Sequence, residues 1–196
     1  MKKVLIVGGT SSLSLKVCSL LENNGYQIDV MTYRNNNKIN NYYKWIYLNL
    51  EDISSIDNLL NLIPKNYYSK IIIFSGNAFI ENNKENLFNM LKKYYESYLF
   101  NYIYMTYNFL ENINESGQII SISSLAANKP VTDMHYSAVK GGVQSFLRSL
   151  SLKAKPEQAL FSISPATITE DIRDQIAQII LKADSSFNGK IIEIGY

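Results

Sequence analysis

The chain contains almost no cysteine and almost no histidine, with one residue of each, Cys18 and His135, among 196 residues. A lone cysteine excludes an intrachain disulfide, and no group of Cys and His has the spacing of a zinc site. The apolar stretch from Val4 to Val7 is far shorter than the core of a signal peptide, and it runs into Gly8. These absences predict a cytoplasmic protein without a bound metal.

Excess charge of one sign and long apolar runs are also missing. Lys and Arg number 19 against 17 Asp and Glu, which gives a net charge of +2 with no basic cluster. This balance predicts a protein that binds neither nucleic acid nor an acidic membrane surface. No apolar stretch has the length of a membrane-spanning helix. With 46% hydrophobic residues, the chain can bury one core, and we expect a single domain over residues 1–196.

What the sequence does contain is a regular alternation of short apolar runs with segments of helical periodicity. The predicted strands are Lys3–Val7, Gln27–Met31, Trp45–Leu48, Ile71–Phe74, Gln118–Ser121, Leu160–Ile163 and Lys190–Ile194. The predicted helices are Ser12–Asn23, Ile53–Leu62, Glu85–Glu111, His135–Ala154 and Thr169–Ala183. The alternation predicts an α/β fold, a doubly wound, seven-stranded parallel sheet with helices on both faces.

The segment from Tyr94 to Leu110 is apolar or aromatic on more than one helical face. Either this helix is buried on all sides within the domain, or one face packs on the sheet and a second face lies in a subunit interface. We favour the second interpretation, which predicts a homodimer or homotetramer formed through this helix.

The first predicted strand runs directly into a glycine- and serine-rich turn, Gly8 to Ser14, and then into a helix. Such a strand-to-helix turn directs backbone N–H groups at a pyrophosphate, as in a Rossmann-type dinucleotide site. Of the three usual glycine positions only the first is kept, because Ser12 and Ser14 stand at the second and third. A serine-capped structural turn is the alternative. The predicted cofactor ligands in this turn are Gly8, Thr10, Ser11, Ser12 and Leu13.

The residues after the second strand bear on the choice of dinucleotide. Enzymes that select NAD place an acidic residue there, whereas this chain reads Thr32-Tyr33-Arg34. Arg34 could neutralise a 2′-phosphate, which favours NADP (NADPH) over NAD, and a solvated loop arginine is the alternative.

Tyr136 and Lys140 stand four residues apart at the start of a predicted helix, so their side chains project from one face on successive turns. An ammonium beside a phenol favours the phenolate and moves the pKa of the tyrosine towards neutrality, as acid-base catalysis requires. With 15 tyrosines in the chain, this spacing alone carries little weight. The surrounding sequence has to supply the evidence.

That surrounding sequence is Gly117 to Ser124, which ends a strand in three serines out of four residues, and Tyr136-Ser137-Ala138-Val139-Lys140-Gly141-Gly142-Val143. Both segments resemble the short-chain dehydrogenase/reductase family. The resemblance extends to the glycine turn, to Asn49-Leu50, to Phe74-Ser75-Gly76-Asn77 and to Ser164-Pro165-Ala166. It therefore covers nearly the whole chain.

The resemblance implies a role for each matched residue. Tyr136 would protonate the substrate oxygen, Lys140 would lower the pKa of Tyr136 and hold the nicotinamide ribose, and Ser124 would hydrogen-bond the carbonyl. In the family the serine more often stands thirteen positions before the tyrosine, which would select Ser123, whereas Ser124 stands twelve before it. We favour Ser124, and a strand-end cap is the alternative for both. The implied cofactor contacts elsewhere are Asn49 and Leu50 at the adenine, Ser75 and Gly76 after the fourth strand, and Pro165 and Ile168 along the nicotinamide.

Two departures from the family pattern are visible. The family's catalytic asparagine aligns with Tyr98, and Asn101 lies one turn later. The mobile segment that usually follows Pro165 is nearly absent, because the helix that contains Ile172–Leu181 begins within a few residues. A shortened lid favours a large or carrier-bound carbonyl substrate.

Two functions follow from these observations. The first is an NADP-dependent oxidoreductase that reduces a ketone or aldehyde to an alcohol, or runs the reverse reaction. The alternative is a non-catalytic dinucleotide-binding or scaffold protein that has kept the fold.

Overall fold

The structure is a computed structural model that describes residues 2–33, 44–74, 76, 78–79 and 86–195. One seven-stranded sheet forms its centre, with the strand order β3-β2-β1-β4-β5-β6-β7 and parallel pairing throughout. The strands are β1 Lys3–Val7, β2 Gln27–Thr32, β3 Lys44–Tyr47, β4 Tyr68–Ile73, β5 Ile113–Ile122, β6 Ala159–Pro165 and β7 Ile191–Ile194. The predicted doubly wound parallel sheet is confirmed.

Helices cover both faces of the sheet. They are α1 Ser12–Asn23, α2 Ile53–Leu62, α3 Leu87–Tyr95, α4 Asn101–Asn108, α5 Met134–Leu150 and α6 Glu170–Lys182. Helices α1 and α6 pack together on one face, and α2, α4 and α5 pack on the other. Among the described helices, none combines the length and the apolar character needed to cross a bilayer.

Strand β1 shows why a continuous apolar run was the right signal for this sheet. Leu5 and Val7 point into the core beneath α2, α4 and α5, whereas Val4 and Ile6 point into the core beneath α1 and α6. All four side chains are buried. A strand that is covered on both faces has no solvent side, so its sequence lacks polar alternation.

Strands β4 and β5 begin earlier than the apolar runs predicted. The predicted starts were Ile71 and Gln118, but the strands begin at Tyr68 and Ile113. The added residues of β4 include the buried Tyr68 and Lys70, whose polar atoms are paired with residues distant in sequence. A polar residue in a central strand is tolerated when it is hydrogen-bonded, and such partners are not visible in a local pattern.

The helix predicted over Glu85–Glu111 is an interrupted run. Glu85 lies outside the described residues, and from Leu87 the chain forms α3, a π-helix over Glu96–Phe100, α4 and a 3₁₀ turn over Phe109–Glu111. Tyr94 and Tyr102 would lie about 80° apart on a regular α-helix. Because the π-turn adds a residue, both can face the same core, in which both are buried.

The other side of this helical run is exposed in the single chain. The exposed fractions are 62% for Phe100, 42% for Tyr104 and 47% for Tyr107. The interpretation that the Tyr94–Leu110 segment is buried on all sides within one chain is therefore wrong. Its second face remains available for the interface that we predict.

Candidate functional site

The site lies at the carboxyl edge of the sheet, where the strand order changes direction. Strand β1 has β2 on one side and β4 on the other, so the chain leaves the sheet in opposite directions at this point. Ligands of doubly wound sheets bind in the crevice that this reversal opens. A cavity of about 450 Å³ occupies it here.

Six of the predicted cofactor residues line this cavity: Gly8, Thr10, Ser11, Asn49, Leu50 and Gly76. The cavity is also lined by residues that the sequence analysis did not assign to the cofactor, among them Met31, Thr32, Tyr33, Glu51, Ser97 and Tyr98. Arg34 and Ser75, which were also predicted to bind the cofactor, lie outside the described residues.

The turn between β1 and α1 requires its glycines for close packing. Gly8 has a φ of +81°, and a Cβ there would lie 2.3 Å from the carbonyl oxygen of Phe74. A Cβ on Gly9 would lie 2.4 Å from a methyl carbon of Val30. The Gly8 N–H donates to the carbonyl of Met31 at 2.8 Å, which ties the turn to β2. Larger residues at either position would push the turn away from the sheet.

The serines of this turn form a helix cap. Ser11 is the N-cap of α1, and its Oγ accepts the Ser14 N–H at 3.0 Å, while the buried Ser14 hydroxyl donates to the Ser11 carbonyl at 2.9 Å. The first intrahelical bond runs from the Leu15 N–H to Ser11. The N–H groups of Ser12 and Leu13 precede that bond, at the positive end of the helix. The serine cap uses the Ser14 N–H, so it does not prevent the Ser12 and Leu13 N–H groups from binding an anion.

Ser12 and Leu13 differ from the other turn residues in their side-chain positions. The side chain of Leu13 is buried in the core beneath α1, so only its backbone is available to a ligand. Ser12 is exposed, and its Oγ accepts a hydrogen bond from Nη1 of Arg173 at 3.1 Å.

The far end of the cavity is held by the loop after β3. The Asn49 N–H donates to Oγ of Ser55 at 3.0 Å, and its Oδ1 accepts the Glu51 N–H at 3.0 Å. Nδ2 of Asn101 donates to the Leu50 carbonyl at 2.7 Å. The Asn101 amide therefore fixes this loop, while Tyr98 lines the cavity at the position of the family's asparagine.

Three side chains on one face of α5 form the other half of the site. Tyr136, Lys140 and Gln144 are spaced by four residues, and Asp133 caps the helix by accepting the Tyr136 N–H at 2.8 Å. The second carboxylate oxygen of Asp133 accepts the Phe79 N–H at 2.8 Å. The loop after β4 is thereby joined to the start of α5.

Lys140 is buried and reaches towards the end of β5. Its Nζ lies 3.4 Å from the carbonyl of Ile122 and 5.4 Å from the ring centroid of Tyr136. Gly76 has a φ of +101°, and a Cβ there would lie 2.9 Å from Nζ of Lys140. Because Gly76 also lines the cavity, it connects the two halves of the site.

The two candidate serines have different partners. The Ser123 hydroxyl accepts from Nε2 of Gln144 at 3.0 Å, and Gln144 also donates to Oγ of Ser164 at 2.6 Å. Ser124 is hydrogen-bonded to the hydroxyl of Tyr136 and caps a short turn by accepting the Ala126 N–H at 3.2 Å. The structure therefore brings Ser124, and not Ser123, to the phenol, and Ser124 also caps the short turn that follows β5.

Burial controls the electrostatics of this half. It lowers the pKa of the Lys140 ammonium to about 8, because the charged form is removed from water. It also raises the pKa of Tyr136; the hydrogen bond with Ser124 opposes that rise, and the Asp133 carboxylate adds to it. The lowered pKa that the resemblance implies for Tyr136 is therefore not found, because burial outweighs the hydrogen bond with Ser124. The phenol is neutral and can give a proton to a substrate oxygen.

The last two predicted cofactor residues, Pro165 and Ile168, lie at the end of β6 and just after it. Pro165 is buried at the end of the strand, and Ile168 is half exposed in the connection to α6. Helix α6 begins at Glu170, so only residues 166–169 separate it from β6.

Sequence reasoning missed Asp133 and Gln144. An Asp three residues before Tyr136, at the start of a helix, is the pattern of an N-cap. Gln144 continues the four-residue spacing of Tyr136 and Lys140, which places it on the same helical face. Both signals were present in the sequence.

Solved structures similar to this chain share its whole architecture. The protein lin1944 from Listeria innocua has a TM-score of 0.80 and 15% sequence identity, with both chains covered completely. BdcA in complex with NADPH has a TM-score of 0.82 and 14% identity, over 98% of this chain and 92% of that one. A short chain dehydrogenase family protein from Francisella tularensis has a TM-score of 0.82 and 16% identity, over 99% and 97%.

A search of curated protein sequences found no match. Residues 2–179, however, match the family model described as short chain dehydrogenase. That match spans the glycine turn, the serine strand and the Tyr136–Lys140 helix, which confirms the resemblance found in the sequence. The chain therefore belongs to the short-chain dehydrogenase family of oxidoreductases.

Proposed function

We propose that this protein is an NADP-dependent oxidoreductase that interconverts a ketone or aldehyde with an alcohol. The observation that carries the proposal is the arrangement on α5. Tyr136 and Lys140 lie on successive turns of this helix, and Ser124 is hydrogen-bonded to the phenol. Gly76 lies next to Nζ of Lys140 and also lines the nucleotide cavity. A fold alone would not support a reaction, but this set of groups has a defined chemical use.

The residues present fit a nicotinamide dinucleotide. The turn residues Gly8, Thr10, Ser11, Ser12 and Leu13 would hold the pyrophosphate through backbone N–H groups at the start of α1. The adenosine would lie against Asn49 and Leu50, and the nicotinamide end along Ser75, Gly76, Lys140, Pro165 and Ile168. When bound, the nicotinamide supplies or accepts the hydride.

The protein's own part in the reaction is proton transfer. Tyr136 donates its phenolic proton to the carbonyl oxygen, and Ser124 donates a hydrogen bond to the same oxygen. The Lys140 ammonium stabilises the phenolate that remains, because an opposite charge nearby favours the ionised form. In the reverse reaction the phenolate accepts the alcohol proton.

The preference for NADP depends on Arg34. Neither Thr32, the last residue of β2, nor Tyr33 after it has an acidic side chain to accept hydrogen bonds from the ribose hydroxyls. A guanidinium that follows directly can pair with a 2′-phosphate in a bidentate manner.

The short connection between β6 and α6 supports a large or carrier-bound carbonyl substrate. Closure of a long segment normally excludes water from a small substrate, and residues 166–169 are too few for such a segment. A substrate that brings its own apolar surface would not require that closure.

A titration of NADPH and NADH, followed by nicotinamide fluorescence, tests the proposal. We expect NADPH to bind more tightly than NADH, and Arg34→Ala to remove most of that difference. Arg148→Ala, at an exposed position on α5, is the matched control and should leave both affinities unchanged. No binding of either dinucleotide would overturn the proposal, and equal loss of both affinities in Arg34→Ala would overturn the NADP preference.

A non-catalytic dinucleotide-binding protein is the second candidate. One observation favours it: Tyr98 stands at the position of the family's asparagine, and the Asn101 amide is bonded to the Leu50 carbonyl. This candidate predicts dinucleotide binding without turnover. A screen of ketones and aldehydes, including thioester-linked ones, separates the two functions.

We also propose that the protein is a cytoplasmic homodimer or homotetramer that associates through the exposed face of α4 and its neighbouring π-helix. Light scattering at several concentrations measures the assembly. Phe100→Glu should shift it towards the monomer, whereas Leu152→Glu, at an exposed apolar position outside the Tyr94–Leu110 segment, is the control. An unchanged mass in the first variant would contradict the predicted interface.

A further inference from the structure

A cation from α6 lies against the turn between β1 and α1. Nη1 of Arg173 donates to Oγ of Ser12 at 3.1 Å, across 161 residues of sequence. We propose that Arg173 is a ligand of the cofactor's pyrophosphate, an inference that rests on the dinucleotide site of the proposed function. Arg173 would add a charged side chain from α6 to a pyrophosphate site that is otherwise formed by the turn before α1.

The path of the chain explains how Arg173 reaches this turn. Only residues 166–169 separate β6 from α6, so the first turn of α6 lies beside the first turn of α1. Lys16 of α1 pairs with Glu170 at 3.3 Å and with Asp174 at 2.8 Å. These ion pairs hold the two helices side by side with their amino-terminal ends at the same edge of the sheet.

The hydrogen bonds of Arg173 leave it able to bind an anion. Nε donates to Glu170 at 2.9 Å, Nη2 donates to the same carboxylate oxygen, and Nη1 donates to Ser12. A guanidinium has five N–H donors, so these three bonds do not exhaust it. The Arg173 side chain is 25% exposed, against 60% for that of Glu170, so the carboxylate lies on the solvent side of the pair.

The cavity itself offers little charge for a pyrophosphate. Among the described residues that line it there is no Lys or Arg, and the one charged side chain, Glu51, is acidic. Backbone N–H groups at the start of α1 provide partial positive charge only. Ser12 stands where the family has a glycine, and its hydroxyl is already oriented by Arg173. A phosphate at this turn would therefore meet a hydroxyl together with a guanidinium whose charge Glu170 only partly offsets.

Binding of NADPH, ADP and adenosine to the full-length protein tests this inference. NADPH and ADP carry the pyrophosphate, whereas adenosine lacks it, so adenosine reports on the remainder of the site. Arg173→Ala should weaken NADPH and ADP by about ten- to a hundredfold, the effect of losing a charge-assisted hydrogen bond, and leave adenosine unchanged. Arg148→Ala should alter none of the three.

Glu170→Gln provides a second variant that acts in the opposite direction. Removing the carboxylate leaves the guanidinium without its competing anion, so ADP affinity should rise a few-fold. The affinity for NADPH should also fall more steeply with salt in the wild type than in Arg173→Ala. In the variant, one fewer cation contacts the phosphates, so there is less charge attraction for salt to screen.

The outcomes separate this inference from the proposed function. If the wild type binds neither NADPH nor ADP, the proposed function fails, whatever Arg173 does. If the wild type binds both and Arg173→Ala binds ADP equally well, Arg173 is only a helix-pairing residue and the inference is overturned. Equal weakening of ADP and adenosine would overturn it too, since that pattern reports a distorted site.

Discussion

The two ends of the sheet each contain a buried lysine and a buried or half-buried tyrosine, and we place the candidate site at only one of these ends. At the amino half these are Tyr68 and Lys70 on β4, and at the carboxyl edge they are Tyr136 and Lys140 on α5. Burial lowers the pKa of both ammonium groups to about 8. Burial and a shifted pKa therefore do not distinguish the two lysines.

What distinguishes them is the set of groups around each one. The Tyr68 hydroxyl donates to a carboxylate oxygen of Asp29 at 2.8 Å, and burial together with this carboxylate raises the pKa of the phenol. Lys70 donates to Oε1 of Gln118 and lies 3.4 Å from the Ala183 carbonyl, which faces the α6 side of the sheet. Tyr68 packs in the core on the opposite side. These two groups cannot act together.

The two side chains on α5 lie on one helical face, whereas Tyr68 and Lys70 do not share a side of the sheet. A cavity by itself does not distinguish the two pairs, because Tyr68 also lines one, of about 390 Å³. The partner of the Tyr136 phenol is a neutral hydroxyl, that of Ser124, and Nζ of Lys140 lies 5.4 Å from the tyrosine ring. A neighbouring hydroxyl can donate a hydrogen bond to a phenolate, whereas a neighbouring carboxylate disfavours the phenolate through charge repulsion. Local geometry is therefore the better guide to function.

The largest effect should come from removing each phenol. Tyr136→Phe should lower kcat by about 10²- to 10⁴-fold, the contribution of a positioned general acid, while NADPH affinity stays within a few-fold. Tyr68→Phe is the matched variant, and it should leave kcat unchanged. Because it deprives the buried Asp29 carboxylate of its partner, it should instead reduce the free energy of unfolding by about 1–3 kcal/mol.

Steady-state kinetics and urea unfolding of both variants measure this contrast. A Tyr136→Phe protein that keeps its rate would refute the assigned proton donor. A Tyr68→Phe protein that loses its rate without losing stability would show that the amino half of the sheet matters to the reaction in a way the geometry does not predict.

The next effect concerns the two lysines. Lys140→Met should lower kcat by about 10- to 100-fold, because the phenolate loses the charge that stabilises it, and the decline should be greatest at low pH. Lys70→Met should leave kcat and KM unchanged. The pH profile of kcat for both variants is the measurement, and equal losses would erase the distinction between the two ends.

Much of the fold could be predicted because its rules are local. Three elements have the predicted bounds, namely β1 Lys3–Val7, α1 Ser12–Asn23 and α2 Ile53–Leu62. Apolar runs and helical periodicity define such elements because their burial is regular. Strand β4 was predicted to begin too late because its added residues include Tyr68 and Lys70, whose partners Asp29 and Gln118 lie 39 and 48 residues away.

In the candidate site, too, the features that depend on local sequence could be predicted and those that depend on distant contacts could not. The spacing of Tyr136 and Lys140 predicts a shared helical face, and the structure has both side chains on α5. The contact of Arg173 with Ser12 depends on how two distant helices pack, so no local pattern could indicate it. The catalytic roles and the choice of NADP stay predictions that the experiments above address.

A smaller effect is expected in the pH dependence of stability. In the unfolded chain both lysines keep their protons up to their ordinary pKa of 10.5, while in the folded protein they release them near 8. The unfolded state therefore binds more protons above pH 8, and stability rises with pH. Each lysine should add about 1 kcal/mol between pH 7.5 and 9.

Urea unfolding at these two pH values, in wild type and Lys70→Met, tests this dependence. The variant should show about half of the wild-type rise, since Lys140 still contributes. The range ends at pH 9 because burial raises the pKa of the Cys18 thiol, which gives the opposite dependence above that value. A stability that falls between pH 7.5 and 9 would contradict the burial of the two ammonium groups.

The smallest effect should separate two glycines with similar backbone angles. Gly25 lies in the turn before β2, at the amino end of the sheet, with a φ of +78° and no atom within 4 Å of a Cβ built there. Gly76 has a φ of +101°, and its Cβ would lie 2.9 Å from Nζ of Lys140.

Alanine at either position should cost about 1 kcal/mol of stability for the left-handed backbone. Only Gly76→Ala should also lower kcat/KM, by about tenfold, because it displaces the ammonium from the phenol. Thermal unfolding and kinetics of the two variants, measured side by side, provide the comparison, and equal kcat/KM values would mean that the position of Lys140 is not what sets the rate.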